Sequence, residues 1–462
     1  MPTTRKLSAN HFHGAIHEPS RETPVVHECD LCVVGGSCTG VFAAVRAARL
    51  GLNVALIEQN ILLGGMATAA QVNEWHSLDD TSGETQIIGG LTVEVLDRLR
   101  KRGMVSEGSH RHCGGFSFFN SAELAMELDV LIRENRIRLF LKASCVAAAR
   151  EGNKVTAAII EDKSGRRAIR ARMFVDASGD GDLLRRAGFA AWKNETLQPV
   201  NYQMLAAGLG SLMETTGKGI WEQVRHRMGD FDYPAENSTP WINSYPAPAD
   251  LKNVYGPRLN GCDASDADQL TAAVLEGRRC HRALLDMIRE ELSPEVSAVA
   301  LAHALGVRET WHASCLYRLL ATDLLNGRHF PDAIARGTYP VDVHSPAGTL
   351  LRYMDGHEDL IGKDGSVTSR RWRDESPISP LCYEIPFGSL IPVESENLLI
   401  AGRLIDAERE AFGGVRVMVN MNQTGEAAGV AAWLALKENM KPKELDPVRL
   451  QKALADGGSC VF

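Results

Sequence analysis

Long apolar segments are missing from this chain of 462 residues. A helix that crosses a membrane needs a run of about 20 mainly apolar residues, and no run here approaches that length. Residues 1–28 also lack the hydrophobic stretch of a secretory signal peptide. We therefore expect a cytoplasmic protein with no membrane span.

An excess of positive charge is missing too. Lys and Arg total 50 while Asp and Glu total 58, so the formal net charge is -8. Such a chain exerts no long-range attraction on the phosphate backbone of a nucleic acid, which we do not expect as a partner. With 44% hydrophobic and 23% charged residues, the composition is typical of a globular protein with a large core.

The 10 cysteines lack the regular spacing of a disulfide-stabilised secreted domain. Cys29 and Cys32 form a C-x-x-C pair, but residues three apart in a strand point to opposite faces. We therefore expect buried, reduced thiols. His11, His13 and His17 lie in a polar extension, which is more often solvated than metal-binding, so we predict no metal site.

The sequence does contain a strand, turn, helix, strand pattern near its start. An apolar run at 29–34 stops at a glycine-rich turn over 35–40, and an Ala-rich helical pattern follows at 41–50. A second apolar run covers 54–58. This order is typical of a βαβ unit in a parallel sheet.

The turn of this unit resembles the dinucleotide fingerprint G-x-G-x-x-G, in which amides at a helix N-terminus bind a pyrophosphate. Gly35 and Gly40 match its first and last glycines, but Ser37 replaces the middle one. Glu58 ends the second strand, where an acidic side chain accepts hydrogen bonds from ribose hydroxyls. The combination predicts a dinucleotide site, although Glu58 could also be a solvated strand end.

Helical and β patterns alternate along the rest of the chain. Helices are predicted at 91–102 and at 121–135, the second capped by Ser121. Three β-rich runs, at 138–150, 154–162 and 166–176, predict an antiparallel meander. Trp, Pro, Tyr and Asn become frequent after residue 190, around a helix at 266–289. A buried strand at 397–402 and an Ala/Gly-rich helix at 423–437 then follow.

Four segments, taken in order, resemble FAD-dependent oxidoreductases. They are the turn and Glu58 with Leu62-Leu63-Gly64-Gly65-Met66-Ala67-Thr68, the run Phe174-Val175-Asp176-Ala177-Ser178-Gly179-Asp180-Gly181-Asp182, the run Asn397-Leu398-Leu399-Ile400-Ala401-Gly402-Arg403, and Gly413-Gly414-Val415-Arg416-Val417-Met418 with Gly425-Glu426-Ala427-Ala428-Gly429. The resemblance spans about residues 29–436. It is closest to the poorly characterised FAD-dependent oxidoreductase family related to the fumarate reductase and glutathione reductase groups.

This resemblance implies an α/β fold: a discontinuous Rossmann-like FAD-binding domain, with a parallel sheet and an antiparallel β-meander, and an inserted α+β substrate or cap module. We expect a polar N-terminal extension at 1–28, the FAD-binding domain at 29–189 and 385–440, the cap module at 190–384 and a C-terminal tail at 441–462.

The resemblance also implies the residues that contact FAD. They are Gly35, Ser37, Cys38, Thr39, Gly40, Glu58, Gln59, Gly64, Gly65, Met66, Ala67, Thr68, Val146, Ala177, Ser178, Gly179, Gly402, Arg403, Arg416 and Val417. Arg403 stands where many of these flavoproteins have an Asp that binds the ribityl chain. No residue is therefore assigned to the ribityl contact.

Candidate catalytic residues lie in the predicted cap module. Residues 339–343 are rich in β-formers, and on a strand Asp342 and His344 share a face. A carboxylate beside an imidazole fixes its tautomer and raises its basicity, so His344 could accept a substrate proton. Alternatively, Asp342 caps a turn and His344 packs beside Pro346.

Arg308 could anchor a carboxylate or orient a polar substrate. The favoured alternative for it is a structural pair with Glu309 or another acid. His76, His112 and His312 are weaker candidates for the base.

Two sequence features that pyridine-nucleotide-dependent disulfide reductases need are missing, and this bears on which molecule reduces the flavin. Gly208 and Gly210 do not continue to a third glycine, so a second nucleotide fingerprint is missing, as is a redox disulfide. We therefore predict that the substrate, a polar small molecule with a C–H next to O or N, gives a hydride to FAD. Electrons then pass to oxygen, a quinone or a carrier; the acceptor is unknown.

Two other functions stay open. One is the reduction of an activated double bond, and the other is FAD binding without catalysis, which the Asp342 and His344 pair disfavours. The sequence also leaves a homo-oligomer open.

Overall fold

The computed structural model of the protein describes residues 14–110, 114–216, 219–234, 240–362, 365–376 and 379–460. The α-helices of these segments are α1 (Cys38–Arg49), α2 (Gly90–Lys101), α3 (Ser121–Glu134), α4 (Asp182–Arg186), α5 (Leu209–Thr216), α6 (Ile220–Val224), α7 (Ala267–Glu291), α8 (Ala321–Leu325), α9 (Arg409–Val415), α10 (Met418–Glu438) and α11 (Pro447–Ala455).

The strands of the same segments are β1 (Val25–Val34), β2 (Val54–Glu58), β3 (Glu74–His76), β4 (Val105–His110), β5 (Gly114–Phe119), β6 (Arg138–Leu141), β7 (Ser144–Glu151), β8 (Lys154–Asp162), β9 (Gly165–Asp176), β10 (Ala191–Trp192), β11 (Val200–Asn201), β12 (Met204–Ala207), β13 (Trp241–Ser244), β14 (Lys252–Tyr255), β15 (Arg258–Leu259), β16 (Ser297–Leu301), β17 (His312–Ala313), β18 (Ala333–Gly337), β19 (Val341–Ser345), β20 (Gly348–Arg352), β21 (His357–Gly362), β22 (Val367–Arg371), β23 (Tyr383–Pro386) and β24 (Leu398–Ile400).

A seven-stranded sheet forms the centre of the fold, in the order β6-β2-β1-β9-β8-β7 with β24 also paired to β9. Strands β6, β2, β1, β9 and β24 are parallel, so that Val33 lies between Leu56 and Val175. Strands β7, β8 and β9 are antiparallel. The apolar runs at the ends of β1 and β2 are fully buried, as expected for parallel strands covered on both faces.

Helices α1 and α10 cover one face of this sheet and pack closely on each other. A Cβ at Gly425 would lie 2.0 Å from the Thr39 carbonyl oxygen, and a Cβ at Gly429 would lie 2.2 Å from that of Ala43. The two glycines therefore let the backbones of α1 and α10 approach each other closely.

Outside the central sheet, the described residues form two four-stranded sheets and several sheets of two or three strands. One four-stranded sheet has the order β13-β14-β12-β16 and shares a buried apolar cluster with α7. The other has the order β19-β20-β21-β22. Helix α9 packs on β19, and this contact brings the second four-stranded sheet against the start of α10.

Two local predictions are wrong. The run 138–150 is not one strand of the meander: β6 pairs in parallel with β2, and Lys142, at φ 52°, turns the chain before β7. The cap of α3 is Asn120, whose side-chain oxygen accepts from the amides of Ala122 and Glu123 at 3.0 and 3.2 Å. Ser121 instead donates to the Ala67 carbonyl at 2.7 Å.

The expected free thiols are confirmed for the described cysteines, which form no disulfide. Cys29 and Cys32 are both buried, and burial raises the pKa of the Cys29 thiol to about 12. Residues 441–460, expected as a tail, include α11, which Arg46 of α1 holds through the carbonyls of Ala453 and Leu454 at 3.2 Å each. Among the described residues, no helix has the length and apolarity to cross a membrane.

Candidate functional site

The glycine turn leaves the start of α1 open. A Cβ at Gly35 would lie 2.4 Å from the Ala177 carbonyl oxygen, and one at Gly40 would lie 1.8 Å from the Gly35 carbonyl oxygen, so both positions require glycine. Ser37 is the N-cap residue, but its side chain does not cap the helix. The first amides of α1, from Cys38 and Thr39, therefore stay available, as a pyrophosphate site requires.

A second loop completes this turn and explains the departure at Ser37. The amide of Gly64 donates to the Gly36 carbonyl at 2.8 Å. A Cβ at Gly65 would lie only 2.7 Å from the Cβ of Ser37. The fingerprint has glycine where this chain has Ser37. Because Gly65 has no side chain, the Ser37 side chain fits against it.

The loop continues as a short 3-10 helix at Gly65–Ala67, which includes Met66. The Thr68 hydroxyl donates to the Leu63 carbonyl at 2.5 Å and closes the loop. Because Thr68 lies against Gly64, its side chain also fixes the backbone next to Ser37.

Glu58 is buried at the end of β2 and organises the turn. One carboxylate oxygen accepts from the Gly36 amide at 2.6 Å, and the other accepts from the backbone and side-chain nitrogens of Asn60 at 2.7 and 2.8 Å. A carboxylate has about four acceptor positions, so these bonds leave room for a ribose hydroxyl. Gln59 is exposed beside it, and Val146 is half-buried on β7.

The loop after β9 borders the same turn. Asp176 is fully buried, and one of its oxygens accepts from the amide and hydroxyl of Ser178 at 3.0 and 2.6 Å. Its other oxygen accepts from the amides of Leu183 and Leu184 at 2.9 and 2.8 Å. Asp176 therefore holds the loop that contains Ala177 in place.

Arg403 forms an ion pair at the edge of this loop. Its guanidinium donates to Asp180 at 2.6 Å, and the Thr310 hydroxyl donates to the same oxygen at 2.7 Å. A Cβ at Gly179 would lie 2.6 Å from Arg403, so glycine makes room for the guanidinium. No described residue accepts a hydrogen bond from the buried Nε of Arg403.

Gly402 is held behind α1 and α10. Its amide donates to the Thr424 hydroxyl at 3.0 Å, and a Cβ at this position would lie 3.5 Å from the Thr39 side chain. Val417 is the N-cap of α10, and no side chain caps that helix either. Gly425 is the residue of α10 that contacts the backbone of α1. The start of α10 lies about two helical turns, roughly 11 Å, before it.

Asp342 and His344 lie together on β19, as the sequence predicts for residues two apart on a strand. The Nε2 of His344 is 3.2 Å from the Oδ2 of Asp342. The same oxygen accepts from the Tyr339 hydroxyl at 3.0 Å and from Arg416 at 2.8 Å. The buried Oδ1 of Asp342 has no hydrogen-bond partner in the segments that the structure describes.

A hydrogen-bond chain defines the tautomer of His344. Arg258 can only donate, and its Nη1 is 3.1 Å from the Thr349 hydroxyl oxygen. The Thr349 hydroxyl hydrogen is then free to donate to the Nδ1 of His344, at 2.9 Å. We infer that the neutral ring carries its proton on Nε2, which donates to Asp342.

Gly413 lets α9 approach β19 closely, and this contact brings Arg416 to Asp342. A Cβ at Gly413 would lie 2.7 Å from the Asp342 carbonyl oxygen, so α9 packs directly on the backbone of β19. Arg416 follows α9 and precedes α10, and its Nε is buried without a partner. The uncapped start of α10 therefore lies next to the cluster.

The charges of this cluster shift its pKa values. Burial, together with Arg308 and Arg258, lowers the pKa of His344 to about 3, although Asp342 partly offsets their effect. Burial acts to raise the pKa of Asp342, but His344, Arg416 and Arg258 outweigh it and hold that pKa well below its usual range. At neutral pH the imidazole is thus neutral and the carboxylate ionised.

Arg308 is not paired with its neighbour Glu309. It donates to the Pro199 carbonyl at 2.7 Å, and burial together with Arg416 and Arg258 lowers its pKa to about 9. The fully buried Glu309 instead contacts His312, at 3.2 Å.

The other histidine candidates lie apart from this arrangement. His312 is fully buried, with its Nδ1 3.0 Å from the Ile405 carbonyl oxygen and its Nε2 at Glu309. The ring of His76 lies 4.4 Å from that of Tyr339, at the border of the cluster. His112, like His11 and His13, lies outside the described residues. No group of His, Cys, Asp or Glu in the described part of the chain could hold a metal ion.

Comparison with known proteins identifies the family. The family model for FAD dependent oxidoreductases matches residues 30–454. The chain belongs to this family. A segment of 58 residues is 38% identical to dihydrolipoyl dehydrogenase of Manduca sexta, but the match covers 13% of this chain and 12% of that enzyme.

Solved structures of low identity also resemble the chain. A geranylgeranyl bacteriochlorophyll reductase-like protein from Thermoplasma acidophilum has a TM-score of 0.45 at 13% identity, with 93% of this chain and 83% of that chain covered. The p-nitrophenol 4-monooxygenase from Pseudomonas putida DLL-E4 has a TM-score of 0.43 at 8% identity, with 93% and 85% covered.

As a member of this family, the FAD-dependent oxidoreductase has FAD as its cofactor, which confirms that prediction. The predicted fold class is confirmed as well, with its parallel and antiparallel strands in one sheet. The residues present fit the dinucleotide: a glycine cradle, two helix starts without side-chain caps, and the unpartnered buried Nε atoms of Arg403 and Arg416.

Sequence reasoning missed three residues of the cluster: Arg258, Thr349 and Arg416 as a partner of Asp342. Arg258 lies on a two-residue strand far from β19 in sequence, so only the folded chain brings it to Thr349. Thr349 could have been found, because β19 and β20 form a tight hairpin in which it faces His344.

Proposed function

We propose that the protein oxidises a polar small molecule by moving a hydride from a C–H bond next to oxygen or nitrogen to FAD. FAD supplies the two-electron acceptor, and the protein must take up the proton that leaves the oxygen or nitrogen. The observation that carries this proposal is the pair of Asp342 and His344 beside the uncapped start of α10. A protein that binds FAD only for structure has less need of such a pair.

The proposed FAD site is the one expected from the sequence. The dinucleotide would contact the turn at 35–40, Glu58 and Gln59, the loop at 64–68 and Val146. It would then pass the loop at 177–179, Gly402 and Arg403, and reach Arg416 and Val417 at the start of α10. The glycine contacts and uncapped helix starts described above support this course.

Residues 190–384 would form the cap module, since Arg258, Arg308, Asp342 and His344 all belong to it. In this proposal His344 accepts the substrate proton. The imidazole is neutral at neutral pH, and the Thr349 hydroxyl at its Nδ1 is the group through which the proton would arrive. Asp342 holds the ring in position and stabilises the imidazolium that forms.

Anaerobic reduction of the bound flavin tests this function. The flavin absorbance is recorded while sugars, hydroxy acids, amines and amino acids are added, and at least one class should bleach it. With that compound, His344→Ala should lower the rate of reduction about 100-fold or more, because general base catalysis is typically of that size. The exposed His17→Ala serves as the control.

Other outcomes would contradict the proposal. Reoxidation of chemically reduced flavin by activated alkenes, without bleaching by any compound, would favour a reductase. Absence of both half-reactions would favour FAD binding without catalysis. Wild-type reduction by the His344→Ala variant would exclude His344 as the base.

A further inference from the structure

The cluster around Asp342 contains more positive than negative charge. Its three guanidinium groups, from Arg258, Arg308 and Arg416, influence one another and the pair of Asp342 and His344. Among the described residues that these interactions involve, Asp342 is the carboxylate, and His344 is neutral. These five side chains together carry a net charge of about +2 in a largely buried site.

We propose that the substrate carries a compact oxyanion, a carboxylate or a phosphate group, and that Arg258 and Arg308 bind it beside Asp342 and His344. This inference rests on the proposed function, since it names the class of molecule that the same site oxidises. Arginine suits this role because its planar fork of donors matches both oxyanions.

The three arginines differ in how many of their donor groups are hydrogen-bonded to other protein groups. Arg416 is committed to Asp342, at 2.8 Å from the carboxylate and 3.4 Å from the carbonyl oxygen. Arg308 is half-buried, and its one hydrogen bond to a described residue is to the Pro199 carbonyl. Arg258 donates to Thr349 and stacks on Trp241 at 4.4 Å, and its buried Nε has no partner among the described residues.

Two buried amides near Arg308 lack partners as well. Gln203 and Gln198 are fully buried, and neither the nitrogen nor the oxygen of either side chain has a hydrogen-bond partner in the described part of the chain. The Nε2 of Gln203 is 3.3 Å from the Cβ position of Gly306, two residues before Arg308. Gln198 precedes the proline whose carbonyl Arg308 contacts. Buried groups of this kind cost free energy unless a ligand or a bound water satisfies them.

An oxyanion here would also affect the proton acceptor. Arg308 and Arg258 both lower the pKa of His344, so a negative charge bound between them would offset that effect. The basicity of His344 would then rise when the correct substrate is present. A neutral molecule of the same shape would bind more weakly and also react more slowly.

Titration of the FAD-loaded protein with redox-inert anions tests the proposal. Sodium malonate, sodium acetate and inorganic phosphate are added at constant ionic strength, while the visible spectrum of the flavin is followed. Malonamide, acetamide and sodium chloride are the neutral and halide controls. At least one oxyanion should cause a saturable spectral change, and the controls should not.

Variants locate the site. Arg308→Gln and Arg258→Gln should each weaken oxyanion binding roughly 10- to 100-fold, because each removes charge-assisted hydrogen bonds. Arg308→Lys should retain part of the affinity, since it keeps the charge. Arg282→Gln, at an exposed position of α7, removes one charge elsewhere and should change nothing. An unchanged flavin spectrum without anion verifies that each variant is folded.

The outcomes separate the two proposals. A response to phosphate alone assigns a phosphorylated substrate, and a response to acetate or malonate assigns a carboxylic acid. Equal responses to chloride, no saturable change, or unchanged affinity in both glutamine variants would overturn the inference. If neutral alcohols or amines bleach the flavin although no oxyanion binds, the proposed oxidation is supported and the oxyanion site is refuted. If oxyanions bind but no compound bleaches the flavin, the oxyanion site is supported and the proposed oxidation is refuted.

Discussion

Acid should destabilise the protein through two histidines that are buried in the neutral form. Burial lowers the pKa of His344 to about 3 and that of His281 to about 4. In the unfolded chain each has a pKa of about 6.5, so the unfolded state binds more protons below that pH. The stability that each contributes is present above about pH 6.5 and is lost as pH falls toward the folded pKa.

The magnitude follows from these values. Between about pH 7.5 and pH 5, each histidine should cost about 2 kcal/mol of unfolding free energy, because only the unfolded chain becomes protonated. Replacement by glutamine removes the titration but keeps an amide that can donate to Asp342. Between about pH 7.5 and pH 5, the free energy of unfolding of the His344→Gln variant should therefore fall by about 2 kcal/mol less than that of the wild type.

Urea unfolding followed by tryptophan fluorescence, with saturating FAD at both pH values, measures this difference. The exposed His17→Gln should behave as the wild type. If His344→Gln has the same pH dependence as the wild type, the imidazole is not held neutral in the folded protein. The hydrogen-bond chain from Arg258 through Thr349 to His344 would then be refuted.

Three further predictions concern the cofactor and its reduction. Denatured protein should release FAD in an amount equal to the protein, as measured by absorbance, and colourless protein that takes up no FAD would contradict this. Glu58→Ala should weaken FAD binding by ~1 to 3 kcal/mol in a fluorescence titration, because the Gly36 amide loses its partner and the ribose loses an acceptor. Unchanged affinity would exclude Glu58 as a ligand. NADH and NADPH should reduce the flavin far more slowly than turnover in a stopped-flow experiment, and reduction at the turnover rate would reopen a pyridine-nucleotide function.

Local sequence patterns were sufficient for much of the central sheet. The apolar runs that become β1, β2 and β24 are buried on both faces, so their composition alone marks them as parallel strands. The period of two along a strand likewise predicts that Asp342 and His344 meet.

Contacts between distant residues were not predictable in the same way. Asn120 and Ser121 are both good caps, and only the fold determines that Ser121 reaches the Ala67 carbonyl. Lys142 breaks a β-rich run because the chain must turn there to start β7. Arg258 joins the cluster through tertiary contacts that no local pattern encodes.

A crystal structure of the FAD-loaded protein tests the central claim most directly. We predict that the flavin ring lies in van der Waals contact with the start of α10, at Val417, and faces Arg308 and the pair of Asp342 and His344. A ring bound away from this cluster, with another protein surface covering its reactive face, would contradict the account.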